Sequence, residues 1–220
     1  MARIARVVLP RIPHHITQRG VRSMDIFFSD ADRHDYLKML QEQGEKHGLT
    51  FLAWCLMSNH VHLIVIPEHV NSLAKGIGEA HKAYTRMVNF RQGARGYLFQ
   101  GRFASCPLSE RHFFVALKYV LRNPVRAGIV RHPSDWPWSS ARWHLGIVDS
   151  DPLVEHHSLF EGIDDWDVFL SEETGDVELL RNHTRTGRPL GGPEFVALAE
   201  RITSRDLVKR RPGRKRRAWK

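Results

Sequence analysis

Cysteine is scarce in this chain. Only Cys55 and Cys106 occur among 220 residues, far apart and in no C-x-x-C pattern. That excludes a thiolate zinc site and a disulfide framework. Both read best as small buried side chains in a reducing cytoplasm, with a single disulfide as the alternative. Long apolar runs are missing as well. No eighteen-residue apolar stretch exists, so no membrane span is expected. The apolar part of Met1–Pro10 is too short for a secretion signal and reads as the approach to a first strand. No internal repeat is visible. Acidic residues are in deficit: 24 against 33 Lys and Arg, for a net charge of +9 and a pI near 10. Ten of those acids lie within residues 150–180, which hold no Lys or Arg, so the rest of the chain carries 33 basic side chains and only 14 acidic ones. A basic body of that kind favours a polyanionic partner.

What is present suits a globular protein: 42% hydrophobic and 26% charged residues, enough to bury a core. Three regions are expected: a main domain over 1–145, an acidic connecting segment over 146–180 and a basic C-terminal extension over 181–220. In the main domain, Pro13–Gly20 reads as a strand closed by a glycine turn. Ser29 to Asp32 offer caps for a helix over Ala31–Gly48, with Tyr36, Leu37 and Leu40 at helical spacing. Thr50–Met57 and His60–Ile66 read as strands joined by a tight Ser58-Asn59 link. A helix over Leu73–Phe90 follows, capped by Asn71 or Ser72. Tyr97–Leu108 then reads as a strand irregular at Gly101, and a last helix runs from Glu110 to about Arg122, ended by Asn123-Pro124. This order predicts an α+β, ferredoxin-like split βαβ fold: one antiparallel sheet with helices on one face, plus the helical and basic C-terminal extension.

The segment Ser58-Asn59-His60-Val61-His62 carries chemistry. On a strand, residues two apart share a face at ~6–7 Å. His60 and His62 therefore stand side by side while Val61, Leu63 and Val65 face the core. Two imidazoles so placed suit one divalent metal with positions left open for substrate oxygens; the alternative is an ordinary polar pair on an outer face. The pairs His14-His15 and His156-His157 read as packing or surface residues, since neighbours on a strand face opposite sides. On the last helix Tyr119 and Asn123 are four apart and share a face. A phenol that attacks phosphorus and an amide oxygen that joins His60 and His62 at the metal would complete a site. A free phenol is only about one part in a thousand ionised at pH 7, a cost of roughly 4 kcal/mol, so Lys118 or Arg122 is expected to assist. Tyr119 as a packing aromatic is the alternative, and Tyr84 and Tyr97 are rival nucleophiles.

Three further stretches extend the pattern: Tyr84-Thr85-Arg86 to Asn89, Leu98-Phe99-Gln100-Gly101-Arg102-Phe103, and Tyr119 through Asn123-Pro124-Val125-Arg126-Ala127-Gly128 to Asp135-Trp136-Pro137-Trp138-Ser139-Ser140. Together with His60-Val61-His62, these resemble the single-tyrosine transposases of the insertion-sequence type, which carry a His-hydrophobic-His motif, and among them the REP-associated tyrosine transposases, over about residues 8–145. The resemblance implies Tyr119 as nucleophile, Mg²⁺ or Mn²⁺ on His60, His62 and Asn123, and transesterification on single-stranded DNA through a 5′-phosphotyrosine at the foot of a hairpin. It also implies a cytoplasmic, nucleoid-associated protein. A monomer is expected, with a dimer that trades helices as the alternative. Beyond residue 145 the chain resembles a subgroup with a C-terminal extension, for which no residue roles are carried over.

Candidate DNA contacts are Arg19, Arg22, Lys82, Arg86, Arg102 and Arg126 on the main domain. Arg210, Arg211 and Arg214 lie in a tail whose Arg-Arg-Pro-Gly-Arg run resembles a minor-groove arm and otherwise reads as a solvated, nonspecific one. Phe99, Trp136 and Trp138 are candidates for stacking on bases or for the core. Two other functions remain open: hairpin binding without cleavage, and a metal phosphodiesterase that uses water.

Overall fold

Alternation along paired strands decides how this chain is layered. The structure is a computed structural model that describes residues 5–172 and 175–208. Strand β1 (His14–Arg19) leads into helix α1 (Asp30–His47), strands β2 (Leu49–Leu56) and β3 (His60–Pro67), helix α2 (Ser72–Arg91) and strand β4 (Ala104–Pro107). The sheet order is β2-β3-β1-β4 with antiparallel pairing throughout, the split βαβ arrangement expected from the sequence. Ser29 caps α1 by accepting from the Asp32 backbone N–H at 3.2 Å. Gly48 ends it in the left-handed region (φ 64°), where a Cβ is strained.

Phe51 pairs with Val65, and a Cβ on Gly44 of α1 would strike the Phe51 ring at 2.6 Å. The same test places Gly76 of α2 against Leu49. Helices α1 and α2 therefore cover the face that carries Val61, Leu63 and Val65. Arg91 ties the two helices together through Asp32 at 2.7 Å and Asp35 at 2.6 Å. The next helix, α3 (Glu110–Leu121), lies against β2 and β3, and its Tyr119 meets the rings of His15 and His62. Those two residues alternate with the α1/α2-facing set, so the opposite face is covered too.

Two local expectations change. Residues 97–103 do not extend the last strand. They form an irregular loop, with Gly101 at φ 66°, that touches β1 through a Gly20–Phe99 bridge. Asn123-Pro124 does not leave the helical path: after a break at Arg122, a four-residue helix α4 (Asn123–Arg126) begins, and proline is tolerated there because a first turn needs no N–H. Beyond it, α5 (Ala141–His144) follows a segment that borders β2, with the Leu56 N–H donating to the Trp138 carbonyl at 2.8 Å. Helices α6 (Trp166–Ser171), α7 (Val177–Thr186) and α8 (Pro193–Thr203) follow among the described residues. The expected division at residue 180 falls inside α7. The acidic segment also contributes Val154, Phe160, Leu170 and Leu180 to the main core. A second small core joins Val7 and Leu9 to Ala199 and Leu207. On the β4 edge, the Leu190 N–H donates to the Pro107 carbonyl at 2.8 Å, so both outer strands have neighbours that limit strand-edge association.

Several histidines hold this interior together in their neutral form. Burial pushes the pKa of His14 down to about 4 and those of His81 and His144 down to about 3. The unfolded chain takes up protons near pH 6.5 that the folded one refuses. The stability these groups contribute is therefore full above pH 6.5 and drains away as pH falls from there towards 3. Urea unfolding at pH 7.0 and 4.5 is expected to show a large loss at the lower pH. His144→Phe should shrink that difference, while at pH 7 it lowers stability by about 1–3 kcal/mol through loss of the hydrogen bond to the Leu52 carbonyl.

Candidate active site

Three imidazoles meet on one face of the sheet. Thr17 of β1 pairs with His62 of β3, and His15 pairs with Ile64, so His15, His60 and His62 all point to the side covered by α3 and α7. The His15 and His62 rings lie side by side in nearly one plane, with centroids 5.1 Å apart and planes 8° apart. His60 stands edge-on to His62 at 5.1 Å. Tyr119 presents its ring to His62 at 5.3 Å and to His15 at 5.9 Å. The structure thus brings together His60, His62 and Tyr119, which the sequence expected to meet. The sequence reading missed His15, which it treated as packing. The strand register that brings His15 beside His62 is the signal that would have found it.

The hydrogen bonds around these rings set which nitrogens are free. His60 Nδ1 lies 2.6 Å from Asn59 Oδ1, and the Asn59 amide nitrogen donates to the Ser23 carbonyl. That fixes the amide orientation, so His60 donates from Nδ1 and keeps a lone pair on Nε2. His62 Nδ1 lies 2.9 Å from His15 Nε2, and His15 Nδ1 lies 2.8 Å from Thr184 Oγ1 on α7. Burial, then the Arg19 and Arg126 charges, lowers the His60 pKa to about 4. Burial and the positive potential of His15, His60, Arg126 and Arg19 hold His62 well below its usual value. Both imidazoles are thus neutral at pH 7, as ligands must be.

Asn123 is fully buried. Its carboxamide is near enough to His60 to favour the protonated ring, yet neither amide atom meets a partner with hydrogen-bonding geometry. Buried amides are ordinarily satisfied, so an unpartnered one beside the His60 imidazole fits a cation ligand. Among the described residues, no group of three or more His, Cys, Asp or Glu side chains is placed to hold a metal. The donor set that fits is two imidazoles and one amide, with the remaining positions left for substrate oxygens.

The cations near Tyr119 differ from those expected. Lys118 turns away to Glu172 at 2.8 Å and lies over the Phe169 ring, and Arg122 bonds the Glu172 carbonyl. Instead Arg126 and Arg181 lie over the Tyr119 ring, 5.1 and 5.8 Å from its centroid. Arg181 and Thr184, both on α7, were not foreseen. Tyr84 is fully buried in an aromatic cluster with Phe27, Tyr36 and Phe99, and its hydroxyl donates to the Ile26 carbonyl at 2.6 Å. Burial pushes its pKa up, which makes it a poor nucleophile. Tyr97 is exposed at the rim of a separate groove.

That groove, of about 730 Å³, runs between α2 and the 97–103 loop and gathers Lys82, Arg86 and Arg102, with Arg6 as an unforeseen fourth cation. Arg19 and Arg126 belong instead to the histidine cluster, and Arg22 lies in a 3-10 turn with φ 53°. Phe99 is buried against His81 and is not free to stack on a base. Trp136 and Trp138 are partly buried against the core. Arg210, Arg211 and Arg214 lie outside the described residues. No described helix is long and apolar enough to cross a membrane.

A split βαβ sheet with a paired-histidine strand facing a tyrosine helix defines the class. The "Transposase IS200 like" family matches residues 12–123, and the chain belongs to that family. Its name assigns one Haemophilus influenzae relative to the REP-associated tyrosine transposases. That protein is 25% identical over 117 residues, which span 48% of this chain and 66% of the relative. A solved structure described as a REP-associated tyrosine transposase bound to a REP hairpin superposes with a TM-score of 0.58 at 18% identity. It covers 72% of this chain and 93% of its own, and so shares the fold.

Tyr84→Phe is expected to lower the free energy of unfolding by about 1–3 kcal/mol, because it leaves the buried Ile26 carbonyl unpaired. Urea denaturation measures this directly.

Proposed function

We propose that this chain cuts and rejoins single-stranded DNA at the foot of a hairpin, with Tyr119 as nucleophile and Mg²⁺ or Mn²⁺ held by His60, His62 and Asn123. The observation that carries this reading is the meeting of Tyr119 with His62 at 5.3 Å, one helical turn before a buried amide with no partner. The named relatives support a hairpin of the REP type as substrate, and such a substrate places the protein with DNA in the cytoplasm.

A bound divalent ion supplies charge neutralisation at the attacked phosphate. The chain supplies the rest. Arg19 and Arg126 flank the imidazole pair and orient the phosphate by charge-assisted hydrogen bonds. The Tyr119 oxygen attacks phosphorus, a Tyr–O–P bond forms, the bond to the 3′ oxygen breaks, and that oxygen leaves as a hydroxyl. Attack of a 3′-hydroxyl on the phosphotyrosine reverses the step and joins strands, with the phosphoester energy conserved. Because Tyr119 meets the histidines of its own chain, one chain supplies the whole set, which supports a monomer. The cationic groove at Lys82, Arg86 and Arg102 is the candidate seat for the rest of the DNA.

Incubation with a labelled hairpin oligonucleotide and Mn²⁺, followed by a denaturing gel, tests the chemistry. A covalent adduct is expected from the wild type and from Tyr84→Phe, and none from Tyr119→Phe or His60→Ala. An adduct that persists in Tyr119→Phe overturns the assignment. Tight hairpin binding with no adduct from any form indicates a binding protein instead. In salt titrations, Lys82→Ala and Arg86→Ala are each expected to weaken hairpin binding several-fold and to reduce the salt slope by about one unit.

A further inference from the structure

Helix α7 belongs to the extension, beyond the residues that the family match covers. Nevertheless it packs on β4, β1 and α3 and delivers two side chains to the histidine cluster: Arg181 over the Tyr119 ring, and Thr184 against His15. Thr184 is 3% exposed and His15 is 2% exposed, so neither has water as an easy substitute partner. The run Thr184 Oγ1, His15 Nδ1, His15 Nε2, His62 Nδ1 is continuous, with links of 2.8 and 2.9 Å. It ends on the ring whose other nitrogen must carry a lone pair if it is to bind a cation.

We propose that Thr184 and His15 are positioning residues that set the tautomer and ring plane of His62, so that α7 completes the catalytic centre. This rests on the reading of His60, His62 and Asn123 as a metal site. Thr184 accepts from His15 Nδ1–H. That leaves His15 Nε2 as an acceptor, which receives the hydrogen bond from His62 Nδ1–H and leaves His62 Nε2 with its lone pair. The near-coplanar, edge-to-edge arrangement of the two rings fixes the direction of that lone pair. Outer-sphere partners of this kind change metal affinity by about 10–100-fold when they are removed. His60 has a separate partner in Asn59, so each imidazole has its own anchor.

Two measurements on the full chain decide it. Mn²⁺ is titrated and free Mn²⁺ is read by electron paramagnetic resonance for the wild type, His60→Ala, Thr184→Val and Thr184→Ser. Thr184→Val removes the acceptor at nearly constant volume and is expected to weaken Mn²⁺ binding at least 10-fold, while Thr184→Ser stays within about 2-fold of wild type. Imidazole ¹H–¹⁵N spectra of the metal-free wild type need no variant to fold, and are expected to show His15 and His62 both protonated on Nδ1. Protonation of His62 on Nε2, or unchanged affinity in Thr184→Val while His60→Ala loses binding, overturns the relay and leaves the metal site standing. A wild type that binds no Mn²⁺ overturns the relay together with the metal reading beneath it.

Discussion

The antiparallel register between β1 and β3 is the constraint on which the site depends. With Thr17 opposite His62 and Ile64 opposite His15, three imidazoles share a face. A one-residue slip of β3 would send His60 and His62 into the apolar layer under α1 and α2 and leave His15 behind on the other face. That slip is opposed by Ile16, Val61, Leu63 and Val65, all fully buried on the other side or along it. The apolar core therefore specifies the geometry of the histidine cluster: the residues that cannot face water determine where the polar ones stand.

The cluster is costly to assemble, and the costs are met locally. Buried imidazoles are tolerable only when neutral and hydrogen-bonded. Asn59 satisfies one ring, and the His15–Thr184 pair satisfies another. Arg19 and Arg126 add positive potential that keeps protons away from the rings. Asn123 is the exception, buried with an amide that the protein itself leaves unmatched. Local frustration of this kind is what a site built for an external ligand displays.

Much of this was legible in the sequence. Strand and helix periodicities predicted the element order and the split βαβ fold, and the two-residue spacing of His60 and His62 with the four-residue spacing of Tyr119 and Asn123 pointed to the residues that the structure brings together. What remained hidden was everything that depends on sequence-distant packing. Adjacent His14 and His15 look equivalent on paper, and only the pairing partner separates a core histidine from a site histidine. Lys118 and Arg122 flank the tyrosine helix and looked like its electrostatic support, but the Glu172 segment takes them, while Arg181 arrives from α7. Tyr97–Leu108 has strand-like composition, yet Gly101 at positive φ and the docking of Phe99 into the aromatic cluster bend most of it into a loop.

The contacts of the C-terminal helices have a consequence for how the protein comes into being. Thr184 meets His15 across 169 positions, and Arg205 holds the carbonyls of Ala5 and Arg6 across about 200. During synthesis the sheet and its first two helices can form from local material, but the His15–Thr184 contact must wait until α7 has emerged. A nascent protein of this design therefore acquires its sheet well before the surroundings of His15 and His62 are complete.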